Sequence, residues 1–374
     1  MRSTVIILFL SILSIESFSQ RGIDSDSVLN IVKTMQAQED DFYDDGLFKS
    51  QRYWLTTESA VEDNNIFFTA SIALVLELIE GETDSIKNEI IKSAKANYPK
   101  YANRNGEVTY NFWQTTGEDL PFPNGGVLIR REHYRLPDDF DDTILIQLSK
   151  DDSIGNDAVR QKMTDYSNRD SRGEVPGTLK RYRKYDAYEV WFADKLEQEY
   201  DIVVMANVML FILKNGYQLN PTDKETIQLI QQMIFDRTHI RDSPGLSPYY
   251  RNTPIILYHL ARLLSYDHKG LFSEIKGQII DDIQSQLKRT KSEMEKVLLY
   301  SSLLRLGVQI VPNLNYYKLI GETEAFIFVQ FQPHFIIGLP SMKWRCQALN
   351  WAFLYELLIS CEQEGISPNW VFEK

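Results

Sequence analysis

The run Leu136-Pro137-Asp138-Asp139-Phe140-Asp141-Asp142-Thr143, followed at once by Ile144-Leu145-Ile146-Gln147-Leu148, decides how this chain is interpreted. It places four carboxylates within five positions at the start of an apolar helix. Two interpretations compete. In the first, Asp139 or Asp141 caps the helix, as Asp commonly does, and the other carboxylates form a solvated loop. In the second, the carboxylates form a cluster that holds and delivers a proton.

Helical periodicity dominates the rest of the sequence, and convincing strand alternation is absent. One patch, 321–336, is ambiguous because Ala325-Phe326-Ile327-Phe328-Val329 is also compatible with a short strand. We predict helices over residues 25–39, 67–80, 83–97, 142–150, 155–168, 187–194, 202–214, 221–235, 254–265, 271–288, 291–306 and 341–361.

The predicted helices are of two kinds. Those at 67–79 and 202–213 are apolar nearly all round and must be buried on every side, whereas 271–288 carries one apolar stripe. Short turns such as Asn215-Gly216 join neighbouring helices into hairpins. An α/α toroid, which is a closed ring of helical hairpins with inner and outer layers, accounts for this alternation. Because no Pro- or Ser-rich linker interrupts the chain, we expect a single all-α domain over 20–374.

The first nineteen residues are typical of a secretory signal peptide, with Arg2 before an apolar core at 5–13 and small residues near Ser19. That core is too short to span a bilayer, and no later segment is long enough. We therefore expect a periplasmic or secreted protein without a membrane span. Loss of 1–19 removes Arg2 and Glu16, so the net charge stays at −12. Such a charge argues against a nucleic-acid partner.

Neither the cysteines nor the histidines suggest a metal site. Cys346 and Cys361 lie in one predicted helix, about 22 Å apart at about 1.5 Å per residue, too far for a disulfide and typical of buried thiols. The five histidines lack metal-ligand spacing, and only His133 precedes the acidic run closely. The Asp-Asp-x-x-Asp pattern of magnesium–diphosphate sites occurs at 138–142 and again at 40–44, so it carries little information. We predict no metal and no cofactor.

Three long connections, 98–137, 169–185 and 238–253, interrupt the helices, and long ordered loops commonly form lids or binding surfaces. The second of them is basic, and a mobile surface loop explains it equally well. Aromatic side chains concentrate in and near these connections, and they either pack against the core or line a cavity. The candidate substrate-binding residues are Trp113, Tyr134, Trp191, Asn207, Tyr249 and Tyr250.

Several of these segments together resemble the terpenoid cyclase and protein prenyltransferase α/α-toroid superfamily. Asp139-Phe140-Asp141-Asp142-Thr143 is similar to the Asp-x-Asp-Asp-Thr motif of the proton-initiated, or class II, terpene cyclases. The aromatic segment 110–123, the Asn-bearing segment 201–208, Ser247-Pro248-Tyr249-Tyr250 before 255–264, and the closing helix 348–358 fit the same pattern. The Gln-and-Trp repeats of triterpene cyclases and the Asp-x-Cys pair of the prenyltransferase zinc site are absent.

The resemblance implies that Asp141 is the proton donor and that Asp139 and Asp142 hold and polarise it. Like charges disfavour ionisation of every carboxyl in a cluster, so that one keeps its proton. The substrate would be a hydrophobic small molecule, stabilised as a cation by aromatic faces.

Two other functions fit the same residues. A glycosidase or lyase acting on a glycan would need a second carboxylate, such as Asp194 or Asp201, at a distance of about 5–9.5 Å. A non-catalytic protein would use the ring only for binding. A deep apolar chamber over Asp141 would favour the cyclase, an open polar groove the glycan enzyme, and a filled centre the binding protein.

Overall fold

The computed structural model describes residues 22–54, 59–79, 81, 84–117, 123–124, 135–150, 153–167, 174–193, 198–331 and 342–373. The predicted signal peptide lies outside them, as do Tyr134 and His133. The described chain is largely helical, with a small antiparallel sheet. None of its described helices combines the length and apolar character needed to cross a membrane.

The longer helices follow the predicted order closely. They are α1 Ser25–Met35, α2 Phe67–Glu77, α3 Ser85–Lys95, α4 Phe140–Ser149, α5 Ser153–Tyr166, α6 Ile202–Lys214, α7 Pro221–Phe235, α8 Thr253–Ser265, α9 Ser273–Arg289, α10 Glu293–Arg305, α11 Tyr316–Ala325 and α12 Gln347–Gln363. Single turns of helix occur at Tyr98–Tyr101, Lys180–Tyr182, Thr238–Arg241 and Ser243–Leu246. The strands are β1 Ser50–Trp54, β2 Ala60–Asp63, β3 Asn313–Asn315, β4 Val329–Phe331, β5 Met342–Arg345 and β6 Asn369–Val371.

Even-numbered and odd-numbered helices differ in burial. The helices α2 and α6 are buried on nearly every side, which confirms the prediction from their all-round apolar sequences. By contrast, α9 buries one stripe containing Ile275, Ile279 and Ile283. The even-numbered helices pack against one another in chain order, α2 on α4, α4 on α6, α6 on α8, α8 on α10 and α10 on α12, and α12 packs against α2.

Residues at or just before the amino ends of several even-numbered helices line one cavity. They include Phe67 of α2, Asp142 of α4 and Val204 of α6. Residues from the carboxyl ends, such as Ile79, Arg262 and Arg305, line a different pocket. These helices therefore direct their amino ends, where the macrodipole is positive, toward the same side of the molecule.

A four-stranded antiparallel sheet in the order β2-β1-β5-β4 covers that side. Trp344 pairs with Arg52 on one side and with Val329 on the other, so these three side chains share a face of the sheet. Trp344 and Val329 line the cavity, and this face therefore forms part of its wall. The all-α prediction therefore holds only as a largely helical fold, because this sheet was not predicted. The strands β3 and β6 form a second, two-stranded parallel sheet.

Other segments also differ from the sequence predictions. Residues 187–193 are not helical, because their backbone bonds to neighbouring segments: Phe140 N–H donates to the Val190 carbonyl and Phe192 N–H to the Asp138 carbonyl. The segment 341–361 divides into β5 and α12. Within the ambiguous patch, residues 321–325 end α11 and residues 329–331 form β4, while 332–336 lie outside the described residues. Cys346 and Cys361 are buried free thiols, as predicted.

Candidate functional site

The cavity at the amino ends of the even-numbered helices has a volume of about 80 Å³. Three carboxylates of the acidic run contribute to one part of its wall: Asp139, Asp141 and Asp142. The remaining wall is almost wholly apolar and mainly aromatic, formed by Phe67, Phe112, Trp113, Leu136, Val190, Trp191, Val204, Tyr249, Tyr250, Val329, Met342 and Trp344. We refer to this cavity as the chamber.

Asp139 caps α4, as one of the two sequence interpretations predicts. Its Oδ1 accepts a hydrogen bond from the Asp142 backbone N–H at 2.7 Å. The accompanying expectation of a solvated acidic loop was wrong, because Asp138 is 8 %, Asp139 6 % and Asp142 1 % exposed. The segments that contain Trp113 and Trp191 pack over this helix start, and such coverage depends on tertiary contacts.

Asp139 and Asp142 form a buried carboxyl pair. Burial raises the pKa of Asp142 well above its usual range, and the neighbouring charges of Asp139 and Asp141 raise it further. Burial also raises the pKa of Asp139, and the charge of Asp141 adds to that shift. The side chains of Asp139 and Asp142 hydrogen-bond to each other, so one proton shared by the pair relieves their repulsion. The pair therefore retains a proton under conditions in which an exposed Asp would be ionised.

Asp141 has a different environment. Asn207 Nδ2 donates to its Oδ1 at 2.8 Å, and the Tyr250 hydroxyl donates to its Oδ2. Burial raises the pKa of Asp141, whereas these two hydrogen bonds and the charge of Arg262 lower it. Because both donors strengthen as the carboxyl loses its proton, they stabilise the conjugate base. Asp141 is thus a partly buried carboxyl group whose anion has prepared partners.

Asn207 lies behind Asp141 rather than on the chamber wall. Its Oδ1 accepts from Arg262 at 2.7 Å and lies 3.1 Å from His259 Nδ1. The predicted substrate-binding residue Asn207 therefore does not line the chamber, and its amide contacts Asp141. The pKa of His259 falls well below its usual range, mainly because of burial, so the imidazole is neutral.

Asp138 belongs to the same run but performs a separate structural task. Its carboxylate accepts from Asn103 Nδ2 and from the Thr109 hydroxyl, each at 2.5 Å, and from Asn111 Nδ2 at 3.2 Å. It is not part of the chamber wall. These bonds fix the segment 103–111 and place the following aromatic residues, Phe112 and Trp113, against the chamber.

The polar hydrogens of the aromatic wall are directed into the protein. The indole N–H groups of Trp113 and Trp344 both donate to Asp63, at 3.0 and 3.3 Å. The Tyr249 hydroxyl donates to Glu199, and the indole of Trp191 hydrogen-bonds to Tyr249. These rings therefore present carbon surfaces to the chamber. Of the predicted wall residues, Trp113, Trp191, Tyr249 and Tyr250 lie there, and Tyr134 lies outside the described residues.

Four residues that form or support the chamber wall were not predicted from the sequence: Asp63, Phe67, Phe112 and Trp344. Phe112 is adjacent to Trp113 in the aromatic segment, a signal that could have been followed. Asp63 and Trp344 lie far apart in the sequence, and only the pairing of β1 with both β2 and β5 brings them together.

Asp194 and Asp201 are the candidates for the second carboxylate of the glycan-enzyme hypothesis. Asp194 lies outside the described residues, and Asp201 is engaged elsewhere. It caps α6 through the Val203 backbone N–H at 2.8 Å. It also accepts from the Ser247 hydroxyl at 2.7 and 2.8 Å and from the Tyr249 N–H at 3.2 Å. Burial raises its pKa to about 7. Asp201 is fully buried and does not line the chamber; it holds the loop that supplies Tyr249 and Tyr250.

Comparisons with known proteins place no constraint on this site. A scan against protein-family models finds no match for the chain, and a search of curated proteins finds no similar sequence. The candidate function therefore depends on the geometry of the chamber and on the chemistry of its residues.

Proposed function

We propose that this chain is an α/α toroid in which the chamber acts as the active site of a proton-initiated, terpene-cyclase-like cyclase or isomerase of a hydrophobic substrate. The sequential packing of the even-numbered helices, with α12 against α2, supports the ring. The odd-numbered helices would form the outer layer. The amino ends would meet at the chamber, and the sheet would cover one end of the ring. We also propose that residues 1–19 direct the protein out of the cytoplasm.

The observation that carries this proposal is the position of Asp141 in an apolar aromatic chamber with a hydrogen-bond donor on each carboxyl oxygen. In the proposed step the Asp141 O–H bond breaks and its proton adds to an alkene carbon or an epoxide oxygen. The substrate becomes a cation, and aromatic faces stabilise cations through their quadrupoles. Asn207 and Tyr250 stabilise the Asp141 carboxylate that remains. Because Asp139 and Asp142 share a proton, the three carboxyl groups are not all ionised at once. Loss of a proton from the cation to water then forms the product, and Asp141 regains its proton from solvent.

The chamber favours a hydrophobic substrate over a glycan. A sugar carries many hydroxyl groups, and each needs a hydrogen-bond partner when it is buried. The indole and hydroxyl hydrogens of the described aromatic wall are already directed to Asp63, Glu199, Tyr249 and Asp141. The side chains therefore offer a ligand little besides carboxyl groups and apolar faces.

Solvent deuterium tests the proposed reaction directly. Mature protein beginning near Gln20 would be incubated in deuterated water with neutral isoprenoid alkenes and their epoxides, and the products analysed by mass spectrometry. A proton-initiated reaction transfers one solvent deuteron from Asp141 to the product. In Asp141→Asn we expect turnover to fall by about 10²–10⁴-fold, the usual contribution of a general acid.

The matched control is Asp138→Asn, which changes a neighbouring carboxylate that supports a loop and does not line the chamber. Turnover of each variant would be divided by its folded fraction, measured by circular dichroism, so that loss of structure is not mistaken for loss of catalysis. Equal turnover by wild type and Asp141→Asn would exclude Asp141 as the acid. Binding of these compounds without deuterium transfer would instead support a non-catalytic binding protein.

A further inference from the structure

We infer that Arg262 is a positioning residue for Asp141: it fixes the orientation of the Asn207 amide and serves as the charge partner of the Asp141 carboxylate across that amide. The expected effect on catalysis rests on the proposed role of Asp141. The contacts among Arg262, Asn207 and Asp141 are independent of that role.

The orientation of Asn207 follows from what an arginine can do. A guanidinium only donates hydrogen bonds, so the amide atom that faces Arg262 NH2 at 2.7 Å must be oxygen. The amide nitrogen then faces Asp141 Oδ1 at 2.8 Å and donates to it. Without Arg262, rotation of the amide by half a turn would direct an oxygen at the carboxylate and remove one of its two donors.

His259 supports the same arrangement. His259 Nδ1 lies 2.9 Å from Arg262 NH2 and 3.1 Å from Asn207 Oδ1, so the ring packs against both groups. The imidazole is neutral, and its Nε2 has no hydrogen-bond partner among the described residues. One guanidinium nitrogen thus holds both Asn207 and His259 behind the acid.

The charge of Arg262 also needs a partner. Arg262 is 3 % exposed, and none of the ion pairs among the described residues includes it. Nearby Arg305 pairs with Glu356, which also accepts from the Tyr258 hydroxyl at 2.8 Å. That carboxylate is therefore already engaged, and Tyr258 offers Arg262 a ring face 5.6 Å away. A buried unpaired charge is costly, and the Asp141 carboxylate, one amide away, is the opposite charge the geometry provides.

This arrangement predicts how Asp141 responds to loss of the guanidinium. Arg262→Met removes the charge and the donor and keeps an unbranched apolar side chain. The Asp141 carboxylate then loses both its charge partner and the constraint on Asn207, so its pKa should rise. The protonated acid would persist to higher pH but would be weaker, and turnover of any processed substrate should fall with little change in KM.

Infrared difference spectroscopy tests the inference on full mature protein without substrate. The carboxyl stretch of protonated Asp141 would be assigned as the band absent in Asp141→Asn and followed against pH. We expect its midpoint to move to higher pH in Arg262→Met. Arg262→Lys keeps the charge but supplies a point donor instead of a planar fork, so we expect a smaller move in the same direction. This variant decides the matter if Arg262→Met does not fold.

The matched control removes a second nearby arginine that does not contact Asn207. Arg305→Met combined with Glu356→Gln neutralises an ion pair and leaves the local net charge unchanged. We expect the Asp141 midpoint to stay near that of wild type. An unchanged midpoint in Arg262→Met, or in Arg262→Lys where that variant alone folds, would overturn the inference, as would an equal move in the control. Because this measurement needs no turnover, it can succeed even where deuterium transfer fails.

Discussion

At the residue scale, four aspartates within five positions perform four different tasks. Asp138 holds a loop, Asp139 caps α4, Asp141 receives two donors and Asp142 is buried against Asp139. Their pKa values diverge because burial disfavours the charged form, while each hydrogen-bond donor favours it to a different degree. Identical side chains thus acquire different chemistry from their surroundings.

Three buried aspartates, Asp139, Asp142 and Asp201, predict an unusual pH dependence of the protein's stability. Their pKa values are raised in the folded protein, to about 7 for Asp201 and in the same direction for Asp139 and Asp142. The folded state therefore binds more protons than the unfolded state, in which the pKa of Asp is about 3.9. The stabilisation is complete below the pKa of the unfolded state and is lost as the pH rises through the pKa values of the folded state. We expect the melting temperature to fall between about pH 5 and about pH 8.

Asp142→Asn isolates the contribution of the carboxyl pair. The amide mimics the protonated side chain at every pH, so the variant should lose less stability than wild type between the same two pH values. Melting curves followed by circular dichroism would measure both slopes. Identical slopes would mean that the pair does not hold a proton in the folded protein.

At the element scale, the sheet is joined to the chamber through one buried ion pair. Arg52 of β1 and Asp63 of β2 are both 0 % exposed, and their charged groups lie 2.6 Å apart. Asp63 also accepts from the indoles of Trp113 and Trp344 and from Asn65 Nδ2. Asp63 therefore orients two rings of the chamber wall from different parts of the chain.

Removal of that carboxylate should be strongly destabilising. Asp63→Ala removes the carboxylate that pairs with the buried Arg52 guanidinium, and breaking a buried pair in this way costs about 3–5 kcal/mol. Replacement of both partners, Asp63→Leu with Arg52→Met, removes the unbalanced charge but also the acceptor of the Trp113 and Trp344 indoles, so it should recover only part of the loss. Urea unfolding would measure these differences.

A surface pair provides the control for this experiment. Lys95 and Glu77 lie 3.2 Å apart and are about one third exposed, so Glu77→Gln should cost about 0–1 kcal/mol. If Asp63→Ala lowers the free energy of unfolding no more than Glu77→Gln does, Asp63 does not hold the chamber wall in place.

At the scale of the whole molecule, the two ends of the described chain lie together. A Cβ atom on Gly22 would lie 2.2 Å from Trp370, and Gly22 has a φ of +79°, so glycine is required there. Ser25 also donates to Glu362 at 2.7 Å. The contact between α12 and α1 is thus made by side-chain packing between distant parts of the chain.

Because the two ends of the described chain pack together, we expect the protein to tolerate circular permutation. A variant that joins residue 373 to residue 22 through a short flexible linker, with new ends between Lys269 and Gly270, cuts an exposed turn. We expect native helical content and cooperative unfolding by circular dichroism. New ends between Leu257 and Tyr258, within buried α8, should prevent folding and serve as the control. Failure of the first permutant to fold would show that the chain order between α8 and α9 is itself required.

The sequence by itself determined most helices, since their signals are local: apolar periodicity and capping residues such as Asp139 and Asp201 lie within a few positions of the helix they start. It also identified Asp139, Asp141, Asp142 and most of the aromatic wall. The strand β1 was missed because its inward position carries Arg52, which hides the apolar alternation and is neutralised by Asp63.

Only the tertiary structure decided whether the acidic run faces water or a chamber. A carboxylate at a helix start has the same local sequence in both cases, and its protonation depends on burial and on donors from α6, α8 and the loop before α8. Asn207, Tyr250 and Arg262 are separated from Asp141 by more than sixty positions and meet it only through helix packing. The environment of Asp141 is therefore a property of the packed helices and cannot be read from the motif alone.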